Sequence, residues 1–142
     1  MTRAAASPME INKLAESRDL DGCLGYLSLV NGIEGAAVYS YEGLVVAAGA
    51  DSSQGLFIEA PYFVANFVET LRQASGLGLG LLDHQVSFSD TKFHEVIRLG
   101  RTGVFYLVVS GTRGSYELFK FRIERGAQAV VQLLHDRGYL RG

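Results

Sequence analysis

The chain has 142 residues, 48% of them apolar, which suffices for one domain that buries a core without disulfides or metals. Its formal charge of -2, from 13 lysines and arginines against 15 aspartates and glutamates, argues against nucleic acid or an anionic membrane surface as a partner. A single cysteine excludes an internal disulfide and a multi-thiolate metal site, which predicts a cytoplasmic protein. No apolar run approaches the ~18 residues of a membrane span, so we expect no membrane insertion.

The N-terminal part of the chain predicts a short tail followed by a helix. Residues 1–8 are typical of a flexible tail, and we assign residues 9–142 to a single domain. Asp19 is suited to cap a helix, which ends at Asn31 and Gly32 because both tolerate the left-handed conformation. Between them, apolar residues recur every three or four positions, at Leu20, Cys23, Leu24, Leu27 and Val30. In this stripe Cys23 is interpreted as a buried structural thiol.

Two short strands follow this first predicted helix. The segment AAVYSYEGLVVAA holds two apolar runs separated by Tyr41, Glu42 and Gly43, which predicts a hairpin with a tight glycine turn. A phosphate-binding glycine loop leaves a strand and enters a helix, whereas Gly32 and Gly35 leave a helix and enter a strand. We therefore interpret these glycines as structural.

The segment FIEAPYFVANFVETLRQASG returns to helical periodicity and predicts a second helix. Its main apolar face consists of Phe57, Ala60, Phe63, Val64, Phe67, Val68 and Leu71. Because proline is tolerated in the first turn of a helix, Pro61 predicts a start near residues 58–60.

The second predicted helix carries an additional apolar strip on its flank. The strip consists of Ile58, Tyr62 and Ala65, and it adjoins the polar residues Glu59, Asn66, Glu69 and Gln73. Extra apolar surface on a helix that already has a core face indicates a subunit or partner interface. The alternative is that the preceding segment, ADSSQG, covers this flank.

The C-terminal half predicts three strands and a last helix. The strands span roughly residues 81–88, 92–99 and 104–110, and the last is apolar almost throughout, as expected of a central strand covered on both faces. A helix is favoured over a strand for the following segment because Tyr116, Phe119, Ile123, Ala127, Val130 and Leu134 share helical spacing. The sum is one sheet with helices packed against its faces, in the α+β or mixed α/β class.

No motif predicts a catalytic or metal site, and we expect no cofactor. His84, His94 and His135 lie in three different elements, without a second ligand at the i+3 or i+4 spacing of helical metal sites. Asp83 with His84, and His94 with Glu95, are adjacent pairs that point to opposite faces of their strands and cannot cooperate directly.

The segment SGTRGSYE leaves two interpretations open. Gly111 and Gly114 lie between a strand and a helix with Arg113 beside them, which is the order of elements that an anion site requires. A glycine turn with Ser115 near the helix cap explains the same residues equally well.

The run through GIEGAAVYSYEGLVVAAG resembles the opening of the roadblock (dynein light chain roadblock-type) family. The matching positions are Leu24, Leu27, Gly32, Ile33, Glu34, Gly35 and the turn glycine Gly43. The later segment FYLVVSGTRGSYELFKFRIERGAQ is similar to the fifth strand, loop and basic last helix of that family. The additional residues at both ends favour its prokaryotic, MglB-like members.

The resemblance implies a five-stranded antiparallel sheet in the order 2-1-5-4-3, with the first and last helices on one face and the second on the other. It also implies a homodimer, formed through the third strands and the second helices, with Ile58, Tyr62 and Ala65 at the interface. Such proteins are non-enzymatic platforms.

The partner that the resemblance implies is a small Ras-like GTPase, which the chain binds as scaffold or activator. The contact positions are expected to be Glu59, Tyr62, Asn66, Glu69 and Gln73. An activating role would work by ordering the switch loops of the GTPase, unless Arg72 or Arg113 acts directly. The alternatives are a small-ligand sensory domain of the PAS or GAF type and a structural scaffold that binds no GTPase.

Overall fold

A computed structural model describes Leu24, Leu27, residues 32–48 and residues 56–140. In chain order the elements are β1 (Ile33–Ser40), β2 (Val45–Ala48), α1 (Leu56–Gly76), β3 (His84–Phe88), β4 (Lys92–Leu99), β5 (Phe105–Thr112), a 3-10 turn (Arg113–Ser115) and α2 (Tyr116–Asp136). Helix α1 is the second predicted helix, and α2 is the last.

The strands form one antiparallel sheet in the order β2-β1-β5-β4-β3, which confirms the expected architecture. Strand β5 lies at its centre, and residues 106–111 of this strand are buried. Its nearly continuous apolar run therefore reflects coverage on both faces, as the sequence predicts.

Alternate residues of the strands supply two cores, one on each face of the sheet. On one face Val38, Phe93 and Leu107 pack against α2 together with Leu24 and Leu27, which are helical and fully buried. On the other face Val96 and Val108 pack against α1. This confirms the predicted sides of the helices, because the strand period of two residues sends neighbouring side chains to opposite faces.

Several predictions concern residues outside the described part of the chain. These are the tail, the cap at Asp19, the remaining positions of the first predicted helix, including Cys23 and Asn31, and the segment ADSSQG at residues 50–55.

Two glycines have the structural roles that the sequence predicts. Gly43 has φ 83° in the β1–β2 turn, where its amide donates to the carbonyl of Ser40 at 2.9 Å. Gly32 has φ 98°, and a Cβ at this position would lie 2.6 Å from the Cβ of Ser115. Both positions therefore require glycine for backbone conformation, and Gly32 also for space.

Two predicted boundaries were wrong. Helix α1 begins at Leu56, before the range 58–60, so Pro61 lies inside the helix. The amide that Pro61 lacks would have bonded the carbonyl of Phe57, so only one bond near the helix end is lost. Strand β3 begins at His84 rather than near residue 81, because Gly78 and Gly80, with φ of 75° and 79°, hold the preceding segment in a non-strand conformation.

Candidate interaction surface

A stripe of exposed residues runs along one side of α1. Its positions lie three or four residues apart, with one adjacent pair, which places them on one side of the helix. We call this surface the α1 stripe: Glu59, Tyr62, Ala65, Asn66, Glu69 and Gln73, all exposed. The structure thus brings the predicted contact residues together on one surface.

Tyr62 is the main apolar side chain of the stripe, and 78% of its surface is exposed. A large aromatic side chain gains substantial free energy when it is buried at an interface. Ala65 is also exposed, and Ile58 belongs to the same helix. The α1 stripe therefore combines an exposed aromatic centre with polar surroundings.

One end of the α1 stripe is attached to the sheet. The His94 ring of β4 stacks on Phe63, with centroids 4.3 Å apart, and its Nε2 lies 3.3 Å from Oε2 of Glu59. Burial lowers the pKa of His94, and the nearby Glu59 carboxylate opposes that effect only in part. The Glu59 carboxylate therefore already has a contact partner within the chain, His94.

At the other end, Arg72 holds Glu69. The guanidinium donates to both carboxylate oxygens, through Nη2 at 2.5 Å and Nε at 3.1 Å. This hydrogen bonding lowers the pKa of Glu69, which keeps the carboxylate ionised. Both side chains are largely exposed, and a partner's charges can compete with an exposed pair because solvent weakens it.

Strand β3 forms the edge of the sheet next to β4. Within the described residues, no strand pairs with the outer side of β3. The exposed backbone of an edge strand is a template for pairing with another chain. Phe88 at the end of β3 is 48% exposed, so this edge offers backbone groups and an aromatic side chain together.

Solved structures share this arrangement of sheet and helices. MglB of Myxococcus xanthus has a TM-score of 0.72 at 14% identity, over 82% of this chain and 95% of that one. An MglB with a tetrameric arrangement has a TM-score of 0.68 at 17% identity, over 96% and 98% of the two chains. The roadblock/LC7 domain from Streptomyces avermitilis has a TM-score of 0.68 at 18% identity, over 86% and 99%.

The chain has the roadblock/LC7 fold. Sequence identities this low show a shared backbone fold, and they do not show which partners the chain binds. No protein-family model and no curated protein matches the sequence.

In this roadblock fold the GTRG segment is engaged in internal contacts. Arg113 donates from Nη1 to the carbonyl of Ser89 at 2.8 Å, and its guanidinium lies 5.3 Å from the centroid of Phe88. The hydroxyl of Ser115 donates to the carbonyl of Thr112 at 2.7 Å rather than capping the helix. The contacts of this loop therefore favour a structural turn over an anion site.

A cluster of polar groups lies between the β3–β4 hairpin and α2, and it was not predicted from the sequence. His84 Nδ1 lies 2.5 Å from Oε2 of Glu95, and the Tyr116 hydroxyl donates to the same oxygen at 3.4 Å. As expected, neighbouring residues along one strand, such as His94 and Glu95, point to opposite faces. Across the hairpin, however, Val86 pairs with Glu95 and His84 pairs with Ile97. His84 and Glu95 are therefore diagonal neighbours on the same face of the sheet. The hairpin register around the turn SDT is the signal that would have found this pair.

Among the residues that the structure describes, no group of three or more potential metal ligands occurs. Neither α1 nor α2 combines the length and apolarity that crossing a bilayer requires.

Proposed function

We propose that this chain is a non-enzymatic, dimeric interaction module that binds and regulates a small Ras-like GTPase through the α1 stripe. The observation that carries the proposal is the exposed stripe around Tyr62 on a roadblock fold. A cytoplasmic location is part of the same proposal.

The proposed dimer joins two copies through the β3 edges and the α1 helices. One solved MglB has a tetrameric arrangement, so a protein with this fold self-associates. In the dimer Ile58, Tyr62 and Ala65 contact the second copy. The polar positions of the α1 stripe, Glu59, Asn66, Glu69 and Gln73, then line a surface formed by two adjacent helices, on which the GTPase docks.

Regulation is proposed to occur by ordering the switch loops of the GTPase. Arg72 is engaged by Glu69, and Arg113 by Ser89 and Phe88. Engagement of Arg113 within the protein favours loop ordering over insertion of this arginine as the source of any activation, whereas the exposed Arg72 can exchange Glu69 for a partner's charge.

The test is binding to a small Ras-like GTPase from the same genome, loaded with GDP or with a non-hydrolysable GTP analogue. We expect the GTP form to bind more tightly. Glu69→Lys reverses a charge on the α1 stripe and is expected to weaken binding about tenfold, which corresponds to ~1.4 kcal/mol. The matched control, Glu42→Lys, changes an exposed carboxylate in the β1–β2 turn and is expected to leave binding unchanged.

Three outcomes would contradict the proposal. These are the absence of binding to any Ras-like GTPase of that genome, equal binding of the two nucleotide states, and equal effects of Glu69→Lys and Glu42→Lys. The first outcome, with a dimer still present, would leave a structural scaffold.

A second candidate function, a small-ligand sensory module, is favoured by one observation. The cluster of His84, Glu95 and Tyr116 borders a groove of about 500 Å³, which lies within the size range of small-molecule sites. Thermal-shift screening with metabolites tests this function independently of the GTPase.

A further inference from the structure

The groove beside Glu95 lies between the β3–β4 hairpin and α2, away from the α1 stripe. Its volume is about 500 Å³. Its walls include the apolar side chains Ile97, Phe121, Ala127 and Val131 and the charged side chains Asp83, Glu95, Arg98, Lys120 and Glu124. The groove is thus an apolar channel with charges at its floor and rim, the combination found in ligand sites.

Glu95 forms the floor of the groove with only 4% of its surface exposed. Both hydrogen bonds that it accepts, from His84 and from the hydroxyl of Tyr116, go to Oε2. No described residue donates to Oε1, yet no buried side-chain oxygen of the described residues lacks a partner. Oε1 is therefore not fully buried, and Glu95 lines the groove.

The cationic side chains around the groove already have partners within the chain. Lys120 Nζ lies 3.1 Å from Oε2 of Glu117, outside the groove lining. Arg98 donates to the carbonyl of Leu82 at 2.9 Å and lies 3.2 Å from the Asp83 carboxylate. Each positive charge is thereby paired with a carboxylate of the same chain.

The remaining carboxylates of the groove are Glu95 and Glu124. Glu124 makes no ion pair within the described part of the chain, and like Glu95 it lines the groove. A cation bound in the groove is attracted by both carboxylates.

We propose that the groove binds an organic cation, an ammonium or guanidinium group on a short apolar body, through the carboxylates of Glu95 and Glu124. The cationic group occupies the space next to Oε1 of Glu95. The apolar body packs against Ile97, Ala127 and Val131. The proposal does not depend on GTPase binding, because it uses none of the α1 stripe.

The cation has two possible sources, a free amine and a lysine or arginine side chain of another polypeptide. Phenethylammonium represents the free amine, and N-acetyl-lysine methylamide represents the side chain. 2-Phenylethanol has the same apolar body as phenethylammonium and a hydroxyl in place of the charge, so it isolates the contribution of the carboxylates.

The experiment measures dissociation constants and amide chemical-shift changes by NMR titration at neutral pH. We expect phenethylammonium to bind at least tenfold more tightly than 2-phenylethanol, with shifts on β4 and α2 around Glu95 and Glu124. Glu95→Gln and Glu124→Gln are each expected to weaken phenethylammonium binding by about tenfold. The control Glu42→Gln is expected to leave phenethylammonium binding unchanged.

Tighter binding of the blocked lysine than of phenethylammonium assigns the site to a polypeptide side chain, and the reverse assigns it to a free amine.

The proposal is overturned if the alcohol binds as tightly as the ammonium, if the shifts map outside the groove, or if neither substitution changes the affinity. Glu124 lies on the exposed side of α2, so Glu124→Gln provides the test even where Glu95→Gln impairs folding.

Discussion

Glu95 illustrates how one buried charge acquires a structural role at the residue scale. Burial raises the pKa of Glu95, and the hydrogen bond from His84 opposes this effect without cancelling it. Tyr116 depends on the same contact, because burial first and then the Glu95 charge raise the pKa of Tyr116 to about 12. The three side chains therefore form one electrostatically coupled group.

The raised pKa of Glu95 predicts a pH-dependent stability. The folded protein holds a proton on Glu95 more tightly than the unfolded chain, in which glutamates have a pKa of about 4.3. The contribution of this group is complete below that pH and is lost as pH rises through the raised folded-state pKa. Relative to Glu95→Gln, the wild-type protein should lose stability as the pH rises from about 4.3 through the raised folded-state pKa of Glu95, as measured by urea unfolding. A stability difference that is constant with pH would contradict the assignment.

Gly111 provides a second prediction at the residue scale. A Cβ at this position would contact the carbonyl oxygen of Gly32 and would lie 2.8 Å from Cε1 of Phe93. Since the first obstacle is backbone, Gly111→Ala should reduce the free energy of unfolding by about 1–3 kcal/mol, the usual cost of overpacking. The same change at Gly114, where nothing lies within 4 Å, is the matched control. Equal effects of the two substitutions in urea unfolding would refute this explanation.

At the scale of elements, His94 adds a stacking contact between β4 and α1 to the apolar packing of Val96. The ring stacks on Phe63 and is largely buried, and the exposed Glu59 carboxylate lies 3.3 Å from its Nε2. Stacking joins helix to sheet without requiring the imidazole to be charged. The contact between α1 and β4 is therefore expected to be most stable when the imidazole is neutral.

The lowered pKa of His94 predicts a pH effect of the opposite sign to that of Glu95. The folded state favours the neutral ring, so the contribution is complete above a pH of about 6.5 and is lost as pH falls towards the lowered folded-state pKa. His94→Phe retains the stacking and cannot titrate. Wild-type protein should therefore lose stability relative to His94→Phe between pH 7.5 and pH 5, as measured by thermal unfolding. A stability difference between the two proteins that does not change with pH would contradict this explanation.

At the scale of the whole molecule, the two sides of the sheet present different surfaces. The α1 side presents the exposed stripe, while the α2 side holds the groove. An interaction on one side therefore leaves the other side available, and the two proposals can be tested separately.

The proposed dimer yields a prediction for the whole molecule. Tyr62→Ser removes the exposed aromatic centre of the α1 stripe, so it should shift the monomer–dimer equilibrium towards monomer by about tenfold or more. Tyr139→Ser truncates another exposed tyrosine, 62% exposed and beyond the end of α2, and should not change the equilibrium. Sedimentation over a range of concentrations measures both. A wild-type protein that remains monomeric at high concentration would refute the dimer.

The sequence by itself determined the elements and their buried sides. The helical spacing from Tyr116 to Leu134 and the apolar run in β5 are local patterns, and the structure confirms both. The glycines at positions 32 and 43 were likewise interpretable, because the order of neighbouring elements and the backbone conformation of a tight turn are set within a few residues. The contact positions on α1 share one exposed side for the same reason, since helical geometry follows directly from residue spacing.

Only the tertiary structure decided which residues from different elements meet. The contact between His84 and Glu95 depends on the register of the β3–β4 hairpin, and the arrival of Tyr116 depends on the docking of α2. The pairing of Arg113 with Ser89 likewise brings together residues from two different loops. Such contacts arise from a register and a packing arrangement that no local period contains, because they form only when the sheet closes against its helices.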